Sequence, residues 1–166
     1  MDLTLVFAQG GHQNAHAQAV AAGLDRLGVR WRSARVSEVD SPRYVACWGW
    51  RTGKALAEKG CRVLVLERGY MGDRFAWTSL GWDGLNGRAR FAPAQDDGAR
   101  FAAHFEHLLR PPDERPGDYV LLIGQVPRDA SLQGRDMRPW YAKIAQEARE
   151  YYGLPVFFRR HPKAPP

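Results

Sequence analysis

The strongest chemical signal in the chain is QVPRDAS, Gln125–Ser131, which leaves the apolar run Tyr119–Ile123 through Gly124. A short apolar run bounded by turn residues reads as a buried strand, so Gln125, Asp129 and Ser131 leave its end together on one loop. An amide, a carboxylate and a hydroxyl there can meet a ligand. Alternatively, Asp129 and Ser131 close the turn on themselves through Asx and Ser turns. A second apolar run, Pro155–Phe158, ends in Arg159, Arg160, His161 and Pro162. Two guanidiniums and an imidazole suit a diphosphate or a carboxylated sugar; the competing reading is a basic solvated tail.

The stretch Glu67–Phe91 is chemically unusual in another way. It interleaves Gly69, Gly72, Gly81, Gly84 and Gly87 with Tyr70, Phe75, Trp77, Trp82 and Phe91, and adds Arg68, Arg74, Arg88 and Arg90. Glycine lets a backbone approach a ligand closely, and large rings are costly to leave wet, so a shaped recognition loop is expected. Its candidate contacts to an acceptor or a base are Glu67, Arg68, Arg74, Trp77, Trp82, Asn86 and Arg88.

Weaker motifs resolve toward ordinary structure. GWRTGKAL, Gly49–Leu56, has the setting of a phosphate loop, but only three residues separate its glycines and Ala55 stands where Ser or Thr would hold magnesium. It reads as a strand-to-helix turn that leaves Lys54 near an anion. Gly10–His12 with His16 reads as a helix-start turn, able to touch a ligand through backbone N–H groups, rather than as a metal pair. His104 and His107 read as a surface pair. No cofactor and no metal are expected.

The elements that must position these groups follow from periodicity. Leu3–Phe7 reads as a strand, and a helix capped by Asn14 carries Ala17, Val20, Ala21, Leu24 and Leu27 before Gly28. Val29–Ser33 reads as a strand near an edge, Tyr44–Trp48 as a strand, Thr52–Lys59 as a helix and Arg62–Leu66 as the most strand-like run. Asp96 and Asp97 open a helix with the face Phe101, Ala102, Phe105, Leu108 and Leu109. Arg110–Asp118 is too rich in proline to continue it. After the strand at Tyr119, Pro139 opens a helix with Tyr141, Ile144, Ala145, Ala148, Tyr151 and Tyr152 on one face, and Gly153 ends it. Strands alternating with helices imply an α/β fold, a Rossmann-like parallel sheet with crossover helices. Residues 1–110 form one Rossmann-like unit, 111–118 a linker, and 119–166 a partial second α/β unit carrying QVPRDAS and RRHP. Ligands of such sheets bind outside the carboxyl ends of strands, where the Gly10 segment, the Glu67 loop, the Gln125 loop and the His161 segment fall.

A chain of 166 residues and 18.7 kDa has room for one well-cored domain and part of another, not for a multidomain machine. No apolar run approaches the ~20 residues of a membrane span, and the acidic amino terminus lacks signal-peptide character, so a cytoplasmic location is expected. Cys47 and Cys61 are too few for a disulfide framework and read as buried thiols. The net charge of +6 and pI of about 9.7 favour an anionic partner: nucleic acid, a nucleotide sugar or an acidic polysaccharide.

A strand followed by QVPRDAS, then a helix, then a strand ending in RRHP resembles the motif pair in the second half of the capsule polysaccharide synthesis glycosyltransferases. These are GT-B-like enzymes whose two Rossmann-like halves enclose a sugar-nucleotide donor. The resemblance covers Tyr119–Pro162. It implies that Asp129 is the acidic catalytic group with His161 as the second catalytic residue, that Gln125 and Ser131 line the cleft, and that His161 and Arg159 bind the donor's phosphate or sugar carboxylate. The first unit becomes the acceptor side, with a polysaccharide or DNA as acceptor. The chain stops four residues past the HisPro motif, so a GT-B-like fold shortened in its second half is expected, with a second subunit available to complete the site. The alternative is a non-catalytic nucleotide- or nucleic-acid-binding protein, such as a phage-type sequestering or DNA-docking protein.

Overall fold

The computed structural model describes residues 2–7, 12–40, 43–89, 97–111 and 117–164. The chain forms two compact units, Met1–Leu109 and Arg110–Pro166. Both are mixed α/β.

In the first unit the elements are β1 (Asp2–Val6), α1 (His12–Arg26), β2 (Arg30–Ser33), β3 (Tyr44–Trp48), α2 (Trp50–Glu58), β4 (Arg62–Arg68), β5 (Thr78–Trp82) and α3 (Ala99–His104). The sheet order is β2-β1-β3-β4-β5, with β1 to β4 parallel and β5 antiparallel to β4. Parallel strands carry helices on both faces, which is why β1, β3 and β4 read as continuous apolar runs. Alternate residues of each strand serve the two faces. Val6, Val45, Cys47, Val63 and Val65 join Leu56 of α2 in one core cluster. Leu3, Leu5, Ala46 and Leu66 form the other, against Val20, Ala21 and Leu24 of α1. The strand β2 lies at the edge, with all four residues exposed, as its alternating arginines led one to expect.

Order in this sheet reverses at one point. From β1 the chain crosses to β2 on one side, then returns to place β3 on the other. The β1/β3 boundary is therefore the topological switch, the place where open α/β sheets leave a crevice at their carboxyl edge.

Three local expectations change. First, Glu67–Phe91 is not one loop: Glu67 and Arg68 finish β4, and Thr78–Trp82 returns along it as β5. The connection is closed by the Gly69 N–H donating to the Trp77 carbonyl at 2.8 Å. Its glycines serve this packing: a Cβ on Gly81 would fall on the Gly84 carbonyl oxygen and lie 3.1 Å from Leu85 Cδ2. Arg90 and Phe91 lie outside the described residues. Second, α1 begins at His12, so Asn14 sits inside the first turn and does not cap it. Third, α3 stops at His104 and Glu106–Leu108 continue as a 3₁₀ turn, because Phe105 leaves helical geometry at φ −133°. Asp97 does hold that start, its Oδ1 accepting from the Ala99 N–H at 2.9 Å; Asp96 is outside the described residues.

The second unit is a single β-α-β turn: β6 (Val120–Ile123), α4 (Arg138–Tyr152) and β7 (Val156–Arg159), with the strands parallel. Proline in the first turn of α4 and Gly153 in the left-handed region at φ 64° delimit the helix, the Gly153 N–H returning to the Arg149 carbonyl at 2.9 Å. Tyr141 joins helix to sheet, its ring 4.9 Å from that of Phe158. No described helix in either unit is long and apolar enough to cross a membrane.

Candidate functional site

In the second unit the two motif loops leave the carboxyl ends of β6 and β7, and parallel pairing of those strands sets them side by side. Register fixes this, Ile123 lying opposite Arg159, with the Gly124 N–H donating to the Arg159 carbonyl at 2.8 Å. Gly124 gives room at the crossing, since a Cβ there would come within 2.7 Å of the Phe158 ring and 3.3 Å of the Arg159 carbonyl oxygen.

Asp129 precedes a 3₁₀ turn, Ala130–Leu132, and caps it: Oδ1 accepts from the Ser131 N–H at 2.8 Å and from the Ser131 hydroxyl at 2.6 Å. The Ser131 hydroxyl and backbone bonds hold the Asp129 carboxyl below its ordinary range, and the charge of His161 adds to them. Asp129 and His161 are thus near enough to interact, although 32 positions separate them in sequence. His161 accepts the Lys163 N–H at Nδ1, at 3.0 Å, which leaves the ring proton on Nε2 when the imidazole is neutral. Gln125 donates its backbone N–H to the Tyr141 hydroxyl at 2.9 Å, while its side-chain oxygen accepts from Val126 N–H at 2.7 Å. Arg159 is exposed at the end of β7. A carboxylate held below its ordinary range and an imidazole therefore share one edge, with Arg159 ending the strand that leads to His161. The self-closing Asx and Ser turn is also real, because Ser131 and Asp129 are bonded to each other.

The candidates of the first unit do not form one surface. Glu67 ends near Gly49, ahead of α2: a Cβ on that glycine would lie 4.0 Å from Glu67 Oε1, where negative charge is favoured by the helix start. Arg68 lies over the Phe75 ring at 4.7 Å and Arg88 over Trp50 at 5.3 Å. Trp77 packs against His104 and Phe105 at 5.1 and 4.7 Å. Trp82 sits between Tyr44 and Arg62, at 6.0 and 5.3 Å, toward the start of β4 rather than its end. Asn86 accepts from the Tyr70 hydroxyl at 2.9 Å, and Arg74 is exposed. The antiparallel course of β5 is the cause: it carries Trp82 away from the carboxyl edge at which Trp77 begins. His16 is a core histidine, buried, with Nδ1 2.6 Å from the Thr78 hydroxyl and its ring 4.9 Å from Trp48.

Of the residues that border the crevice at the β1/β3 switch, among them Phe7, Arg35, Trp48 and Thr52, only Thr52 falls in a sequence motif, GWRTGKAL, and none was a candidate contact. They lie on separate elements, and only the crossover order brings them together. Comparison with models of protein families, with curated proteins and with solved structures returns no match.

Proposed function

We propose that the protein is a glycosyltransferase-like α/β protein that recognises a nucleotide sugar through its second unit and presents it to an anionic or sugar acceptor, nucleic acid included. The observation that carries this reading is the convergence of Asp129 and His161 at the ends of the paired strands β6 and β7, with Arg159 ending β7. Glycosyl transfer develops positive charge on the sugar and negative charge on a leaving phosphate. An ionised Asp129 answers the first and His161 with Arg159 the second. The GT-B-like likeness of the second unit is part of the same proposal.

A second reading, a non-catalytic nucleotide binder, is favoured by the Asp129 carboxylate itself. Bonds from Ser131 lower its proton affinity, which weakens it as a general base near neutral pH. A panel of nucleotide sugars separates the two. The first reading expects a raised melting temperature, slow hydrolysis or transfer, and loss of binding in His161→Ala and Arg159→Ala; binding without turnover selects the second. Absence of both binding and hydrolysis across the panel rules out both. If the acceptor is DNA, its affinity falls by roughly 10³ or more between 50 and 200 mM salt for about six phosphate contacts.

A further inference from the structure

At the carboxyl edge of the first unit, the switch between β1 and β3 opens into a cleft of about 430 Å³. Its walls come from five separate elements: Phe7 beyond β1, Gln13 in the first turn of α1, Arg35 beyond β2, and Trp48 and Thr52 from the end of β3 and the start of α2. We propose that this cleft binds a nucleotide, with its base against the Trp48 and Phe7 rings and its phosphate at Arg35.

Size and place agree with a small-molecule site. The volume falls inside the roughly 300–1,000 Å³ usual for ligand pockets, and the switch point is where open parallel sheets hold their ligands. The lining selects the class. Trp48 and Phe7 line the cleft with aromatic rings, suited to a planar base. Gln13 and Thr52 supply an amide and a hydroxyl, too few polar groups to envelop a free oligosaccharide but enough to orient one ring.

Charge then orients the ligand. Among the described residues no ion pair or side-chain hydrogen bond engages the Arg35 guanidinium. Nearby Glu38 is held by the Arg35 backbone N–H, at 2.8 Å, not by its side chain. A guanidinium placed so is a phosphate donor in waiting. Within the cleft the phosphate lies with Arg35 and Thr52, the cation and the hydroxyl of its lining. This site does not involve Asp129, His161 or Arg159 and stands or falls apart from the donor reading of the second unit.

The test is calorimetric titration of the full chain with uridine and adenosine 5′-monophosphate, with inorganic phosphate, and with a short single-stranded oligonucleotide. A mononucleotide is expected to bind, with affinity reduced roughly tenfold or more in Arg35→Gln. Lys143→Gln, exposed on α4 and part of neither site, leaves that affinity unchanged. Arg35 is exposed, so its replacement spares the fold, and Thr52→Val serves as a second, independent variant on the opposite wall. Binding of the oligonucleotide alone, still lost in Arg35→Gln, supports the site and identifies its source as nucleic acid. Binding of no nucleotide in either form overturns the proposal, as does nucleotide affinity indifferent to Arg35→Gln. Competition by phosphate alone at equal affinity reduces the cleft to an anion site and overturns the nucleotide assignment.

Discussion

Asp129 is asked to do two things that a pair of substitutions separates. Its Oδ1 receives both Ser131 bonds and caps the Ala130–Leu132 turn, so Asp129→Ala removes a cap while Asp129→Asn keeps a side-chain oxygen in place. Capping residues typically contribute ~1 kcal/mol, and because Asp129 is only half-buried the lower part of that range applies, ~0.5–1 kcal/mol. For a small domain this lowers the melting temperature by about 2–8 °C. Thermal melts followed by circular dichroism should show that drop in Asp129→Ala and little change in Asp129→Asn. Turnover of a nucleotide sugar reads the role proposed for it: loss of an acid-base carboxylate costs typically 10²–10⁴-fold, and Asn would suffer it as fully as Ala. The pH dependence has a definite sign. Folding depresses the Asp129 pKa, so its contribution is fully present above the unfolded value of about 3.9 and is lost as pH falls through the lower folded value. Equal destabilisation by Asn and Ala would refute the capping argument, and full turnover in Asp129→Asn would refute the catalytic one.

Three further outcomes follow from the packing of the first unit. Gly81→Ala should destabilise by ~3 kcal/mol or more, because the new methyl meets the Gly84 backbone carbonyl and Leu85, which cannot yield cheaply. Gly23→Ala, in α1 with nothing within 4 Å of the added Cβ, should instead stabilise by ~0.5–1 kcal/mol; urea melts of the two variants should shift in opposite directions. Burial pushes the Cys47 thiol up to about 12, so at pH 8 roughly one molecule in 10⁴ carries the thiolate. Cys47 should resist iodoacetamide in the native protein and react at once in denaturant, as mass spectrometry of the alkylated peptide would show; rapid native labelling would contradict the buried placement.

Apolar patterning was enough to place most of the elements. Tyr44–Trp48 is a strand with the bounds its run indicates, and β1, β4 and the helix opened by Pro139 lie within a few residues of theirs, since burial of each face demands the matching period. The β-α-β order of the second unit, with its two motif loops at the strand ends, was legible for the same reason. The sequence could not tell whether Asp129 faces a ligand or its own turn, because both uses require the same residues.

Tertiary structure decided the rest. Composition made Glu67–Phe91 look like one recognition loop, but pairing with β4 turned its middle into the strand β5, and its glycines became packing requirements. Backbone hydrogen bonding to a neighbouring strand is a long-range event that local composition does not encode. The cleft of Phe7, Arg35, Trp48 and Thr52 was equally hidden: no two of those residues lie on the same strand or helix, and only Thr52 belongs to a motif, GWRTGKAL, which reads as an ordinary strand-to-helix turn. Their meeting depends on the order β2-β1-β3, which sets the ends of three strands and the starts of two helices around one crevice. Local sequence determined that parallel strands and their crossover helices would form; only the direction taken by each crossover determined where a ligand has room.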